Sequence, residues 1–258
     1  MIVKKIKMSL ATILILATSA SAIEITSPTQ AVDIAGKQRM FTQRMLKDYA
    51  MVGMGNTFGK PGEDLKKISA DFQDHMESLA AYTRSDEVKK SIEKIEALWT
   101  PLKQILLETP SKEKVGKLQV DLDDLLKATD ETTKLFAKES GTASGETVNK
   151  AGRQRMLSQR MASLYMLKVW EVEDPQFKTK LEDAMKLFKT SLDELEKSNL
   201  NTEEIKILLA KVKRSFMFFE MMSKSKSKFV PTLIYKKSND ILVNMNSATQ
   251  KYVALESK

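Results

Sequence analysis

Ala35-Gly36-Lys37-Gln38-Arg39-Met40-Phe41-Thr42-Gln43-Arg44-Met45 is written a second time, with few changes, as Ala151-Gly152-Arg153-Gln154-Arg155-Met156-Leu157-Ser158-Gln159-Arg160-Met161. The step from Gly36 to Gly152 is 116 residues, and it recurs far outside the motif. It pairs Tyr49 with Tyr165, Leu65 with Leu181, Phe72 with Phe188, Met76 with Leu192 and Leu79 with Leu195. One inserted residue then pairs Trp99 with Phe216, and Thr133/Thr249 and Phe136/Tyr252 restore the original step. A match of this length is a duplication, and a repeat unit of this size suits an ordinary domain.

Helical spacing runs through each copy. The first helix is expected from about 27 to 57, where Gly59-Lys60-Pro61-Gly62 stops it. A second covers about 63–83, with Leu65, Ile68, Phe72, Met76 and Leu79 on one face. Ser85 can cap a third helix carrying Val88, Ile92, Ile95 and Trp99, which should bend or end near Pro101. Pro110 opens a fourth, to about Glu139. In the second copy Asp174-Pro175 opens the second helix, and Asn201-Thr202-Glu203-Glu204 reads as a capping box. The expected fold is therefore all-α: two tandem up-down four-helix bundles, residues 27–140 and 145–258, packed as a pseudo-dimer. The short join Ser140-Gly141-Thr142-Ala143-Ser144-Gly145 should leave the two motif helices roughly parallel and at the same height.

Composition agrees and narrows the chemistry. The chain of 258 residues is 42% hydrophobic and 29% charged, which rules out a wholly disordered chain. Nine glycines and six prolines are few for an all-β protein. Without cysteine there is no disulfide framework, thiolate metal site or cysteine nucleophile, and the single His75 excludes a histidine-rich metal cluster. Asp71, Asp74, His75 and Glu77 could group on one helix, but a solvated face explains them equally, and Thr190 and Ser191 stand where the second copy would need Asp74 and His75. No nucleophile–base pair and no phosphate-cradling glycine loop is legible. The expectation is a protein that binds rather than catalyses, with no cofactor and no metal.

Residues 1–22 place Lys4, Lys5 and Lys7 before an apolar run from Met8 to Ala17 and a closing Ala20-Ser21-Ala22, the order of a cleavable signal peptide. A mature chain starting near Ile23 and located in the periplasm is expected, without a further membrane span. Removing the leader lowers the formal charge from +8 to +5. Much of that excess lies in Lys224, Lys226, Lys228, Lys236 and Lys237, read as a solvated helix end rather than a nucleic-acid surface, since no aromatic stacking residues interleave them.

On the first helix Gly36, Arg39, Met40, Gln43, Lys47, Ala50, Met51 and Met54 share a face; Ile34, Phe41, Met45 and Val52 oppose it. Two apolar faces imply two partners, the helix's own bundle and its sister helix. Arg39 and Arg155 can then face each other, a repulsive arrangement unless an anion sits between them, where planar oxygens match the guanidinium fork. Gly36 and Gly152 would allow close approach, and Gln43 and Gln159 could donate amide hydrogens one turn on. The alternative for all four arginines is that they reach solvent or pair with acidic residues inside each bundle; for Arg44 and Arg160, off the centre of the face, that reading is preferred, and for Arg39 and Arg155 it stands beside the anion site. The methionines, Trp99 and Trp170 are read as packing residues.

The Ala-Gly-x-Gln-Arg-Met-x-[Ser/Thr]-Gln-Arg-Met segments resemble the signature of the PilJ-type domain, the N-terminal domain of type IV pili methyl-accepting chemotaxis transducers. They are similar also to the periplasmic domain of nitrate/nitrite sensor kinases. The resemblance implies a four-helix bundle, and by motif position it implies an anion held by Gly36 with Arg39 and Gly152 with Arg155. It carries over binding but not transmembrane signalling, because the chain is expected to lack a second membrane helix and an output domain. The expected function is an exported sensory protein that binds a small oxyanion, nitrate or nitrite first, and is read by a membrane chemoreceptor, sensor kinase or pilus component. The alternative is a periplasmic protein-interaction module without a small ligand.

Overall fold

The computed structural model describes residues 23–224 and 230–255; the signal peptide expected at 1–22, and Lys226 and Lys228, lie outside them. The described residues form eight helices and no strand. The first unit is α1 (Pro28–Gly53), α2 (Pro61–Tyr82), α3 (Asp86–Leu107) and α4 (Lys112–Ser140). The second is α5 (Ala143–Val169), α6 (Phe177–Glu196), α7 (Glu203–Lys224) and α8 (Pro231–Ala254). Among the described residues no helix is long and apolar enough to cross a membrane.

Local chemistry sets most of the boundaries. Ser27 caps α1 by accepting from Gln30 N, with Pro28 in the first turn, where a missing N–H costs nothing. Ser85 caps α3 through Val88 N. Lys60, at φ 56°, turns the chain into Pro61 and α2. The junction between units is shorter than expected: Gly141, at φ 63°, ends α4, and Thr142 caps α5 by accepting from Gly145 N. The second motif helix thus begins before Gly145.

Two other expectations change. Pro101 neither ends nor opens a gap in α3, which continues to Leu107 because Leu102 and Leu106 on the next turns are buried in the core. Asn201 does not cap α7: its Nδ2 donates to Leu195 O and Glu196 O, closing the end of α6, while Thr202 Oγ1 accepts from Ile205 N and starts α7.

Each unit is a closed ring of neighbours, α1–α2–α3–α4 and α5–α6–α7–α8, and the units meet chiefly along α1 and α5. Trp99, Phe72, Phe188 and Phe219 fill the bundle centres, each contributing roughly 1.5–3 kcal/mol by burial. The duplication extends to the hydrogen bonds. Gln38 Nε2 donates to Phe72 O, and Gln154 Nε2 to Phe188 O, fixing each motif helix to the one after it. Tyr49 Oη accepts from Ser111 N, and Tyr165 Oη from Val230 N, holding the entry to each fourth helix.

Candidate functional site

Because α1 and α5 pack against each other as well as within their own bundles, the motif is buried almost all round. The two helices approach closely at the two glycines. A Cβ built on Gly36 would lie 3.9 Å from Gly152 Cα, 3.4 Å from Arg39 Nη2 and 3.3 Å from Arg155 Nη2. One built on Gly152 would lie 3.1 Å from Arg39 Nη2 and 3.2 Å from Arg155 Nη2. The missing side chains therefore let two backbones touch and leave room for two guanidinium groups to converge over the crossing.

Both arginines are 0% exposed, which demands partners. Arg39 Nη1 pairs with Asp130 Oδ1 on α4 at 2.7 Å, and Nη2 donates to Asn149 O on α5 at 3.0 Å. Arg155 Nη1 pairs with Asp33 Oδ1 on α1 at 2.7 Å and donates to Asn246 Oδ1 on α8 at 3.0 Å; its Nη2 donates to Asp33 O at 3.4 Å. The four helices α1, α4, α5 and α8 are thus tied through two side chains. Under the repeat Asp33 corresponds to Asn149 and Asp130 to Asn246, so each arginine keeps one acid and the symmetry is broken in charge.

The Nε–H of both arginines is buried without a hydrogen-bond partner. Burial pushes the Arg39 guanidinium down to about 10, Asp130 opposing and the neighbouring Arg153 and Arg155 adding to the shift, so it remains charged at neutral pH. Burial alone would raise Asp33 and Asp130. Arg155 and Lys37 outweigh it at Asp33, and Arg39 and Lys134 at Asp130, holding both carboxyls below the usual range. Beside the pair, α4 and α5 border a cleft of about 400 Å³ lined by Lys134, Lys138, Lys150 and Arg153 with one acid, Glu146. Asn149 lines it too, and its Oδ1 is buried without a partner.

Gln43 and Gln159 lie one turn further along and their amides are engaged. Gln43 Nε2 donates to Asp123 Oδ1 and Thr42 Oγ1, each at 3.4 Å, and Gln159 Nε2 to Ser238 O and Ser158 Oγ. Arg44 pairs with Asp64 inside its own bundle, whereas Arg160 crosses between units to Asp123. A second buried cluster follows on α1. Lys47 Nζ donates to Gln159 Oε1 and Asn239 Oδ1, each at 2.8 Å, and sits 4.1 Å from the centre of the Tyr235 ring. Burial, opposed by Asp48, lowers Lys47 to about 8, and burial raises the Asp48 carboxyl well above its ordinary value. His75 is turned inward against Phe41 rather than standing on a solvated face, with ring centroids 5.2 Å apart.

Reasoning along the sequence found the glycines and arginines but missed Asp33, Asp130, Asn149 and Asn246. The signal was available: two Asp/Asn pairs stand at the repeat step on the faces that turn toward the motif.

A family model described as "Type IV pili methyl-accepting chemotaxis transducer N-term", PilJ, matches residues 24–124 and 136–214. No curated protein and no solved structure matches the chain.

Proposed function

The chain belongs to the PilJ family of chemotaxis-transducer N-terminal domains, and from that premise we propose that it is a periplasmic sensory protein binding one small oxyanion between α1 and α5. Nitrate and nitrite are the first candidates. The observation carrying the reading is the convergence of two buried arginines on a glycine crossing, each with an unpartnered Nε–H. Such donors are costly to leave unmade, and charge-assisted bonds to an oxyanion contribute roughly 1.5–3 kcal/mol each. The basic cleft beside Asn149 supports the same reading, since its cations raise the local anion concentration.

The mechanism is competition. An anion at the guanidinium groups weakens the hold of Arg39 on Asp130 and of Arg155 on Asp33, and so shifts the balance between packings of α1, α4, α5 and α8. A separate membrane partner, a chemoreceptor, sensor kinase or pilus component, reads that shift.

Calorimetric titration of nitrate and nitrite into the mature chain and into Arg39→Lys, Arg155→Lys and the double variant tests it. Lysine keeps the charge and loses the fork, so folding is preserved better than with alanine. One anion per chain is expected, each single change weakening it about tenfold or more, and the double change costing less than the sum because the shared site is already lost. Two anions per chain, or unchanged affinity in the double variant, refutes the shared clamp.

A further inference from the structure

The second unit carries a groove whose lining differs in charge from the corresponding residues of its sister unit. Between α6 and α7, over the buried Leu164 of α5, runs an open groove of about 440 Å³. Its floor and one wall are apolar: Leu164, Phe177, Leu181 and Met185. Lys168, Lys178, Lys186 and Lys189 stand along its rim, with Glu182 and Glu220 as the acids. The volume is that of a small-ligand pocket, and the lining pairs an apolar body with an excess of positive charge.

The repeat supplies an internal control. At the corresponding places the first unit has Val52, Gly62, Ala70 and Gln73, none of them basic, and Lys66 opposite Glu182. Asp48 replaces Leu164 and Ser69 replaces Met185. Asp48 is buried beside Lys47 and Arg44, so a charged cluster stands in the first unit where the second has Leu164; the first unit's own cleft, of about 330 Å³, is lined by Val52, Pro61 and Gly62 with Lys60 and Glu63 and has no excess of lysine. Core packing does not require Lys168, Lys178, Lys186 and Lys189, since the sister bundle packs with no basic residue at the four corresponding positions.

We propose that this groove binds a small amphipathic anion: a carboxylate on an unbranched aliphatic chain of medium length. The chain lies along Leu181 and Met185 above Leu164 and Phe177, and the carboxylate meets Lys186 and Lys189. A lysine ammonium is a mobile point charge, which suits a terminal carboxylate at the mouth of a groove better than a rigidly oriented anion. None of the lining residues belongs to the arginine pair, so the inference stands apart from the oxyanion reading.

The test titrates sodium decanoate into the full mature chain by calorimetry, with decanol, decyltrimethylammonium and acetate as comparisons, and follows oligomeric state by sedimentation. Saturable binding of one decanoate per chain is expected, about tenfold tighter than decanol, with no binding of acetate or decyltrimethylammonium. The double change Lys186→Glu/Lys189→Glu, on exposed positions, should weaken decanoate about tenfold and leave decanol unchanged. Met185→Ser, which installs the first unit's residue, should weaken both. Arg39→Lys should leave decanoate binding intact, which separates this site from the arginine pair. The proposal is overturned if decanoate does not saturate, if decyltrimethylammonium binds equally, if Arg39→Lys abolishes decanoate binding, or if the chain dimerises in a manner that Met185→Ser removes.

Discussion

Asp33 and Asp130 each hold an arginine at 2.7 Å, but the Asp33 side chain is 2% exposed and the Asp130 side chain 25%. That difference makes Asp33→Asn and Asp130→Asn a paired test of what binds the two units together. Removing one partner of a fully buried pair costs about 3–5 kcal/mol, because the remaining charge is stranded. Asparagine keeps one acceptor, and Arg155 retains Asn246 Oδ1 and Asp33 O, so the low end, about 3 kcal/mol, is expected for Asp33→Asn. Asp33 also accepts from Gln250 and pairs with Lys37, contacts that weaken with it. At Asp130 water reaches the carboxylate but not Arg39, so a loss between the exposed and the buried case, about 2 kcal/mol, is expected. For a chain of this length each kcal/mol moves the melting temperature by about 2–4 °C, giving falls of about 6–12 °C and about 4–8 °C. High salt should shrink the Asp130 effect and spare that of Asp33. The double variant should lose more than the sum, because two convergent guanidinium groups then lack both counter-charges. Thermal melts followed by circular dichroism at two salt concentrations read all of this. Equal losses at the two positions, or a double variant losing less than the sum, would refute the reasoning.

Burial lowers His75 to about 4, with Lys37 and Arg155 adding to the shift and Asp71 and Asp33 opposing it, so the folded state favours the neutral ring. The unfolded chain takes up the proton below about 6.5; stability is therefore full above that pH and falls as pH drops toward 4, by about 3 kcal/mol. Denaturant unfolding of wild type and His75→Gln across that window should give diverging curves, and parallel curves would count against it. At Gly53 an added Cβ would come within 2.3 Å of two Trp170 ring carbons. Gly53→Ala should therefore cost about 1–2 kcal/mol, overpacking outweighing the gain in helix propensity, and should shift indole fluorescence to longer wavelength as Trp170 is displaced. An unshifted spectrum with raised stability would show that the ring yields freely.

What the sequence determined by itself was whatever depends on short spacing or on the repeat. Apolar residues three and four apart, prolines and glycines at the turns, and serines before helices placed the four helices of the first unit to within a few residues, the end of α3 excepted, and the repeat step carried the same order to the second. The 116-residue step then implied that Arg39 and Arg155 could face one another across paired glycines, as they do. The tertiary structure decided the rest, because the partners of a buried charge are chosen by packing rather than by proximity along the chain. Asp130 lies 91 residues from Arg39 and Asp33 lies 122 from Arg155, and no local periodicity couples them. The same cause explains why Arg160 answers Asp123 across the unit boundary, why Lys47 is buried over Tyr235, and why α3 runs on past Pro101. A duplicated sequence specifies two similar bundles. Only their contact, where Asp faces Arg in one half and Asn in the other, determines which side chains must neutralise which, since desolvation is paid where the two surfaces meet.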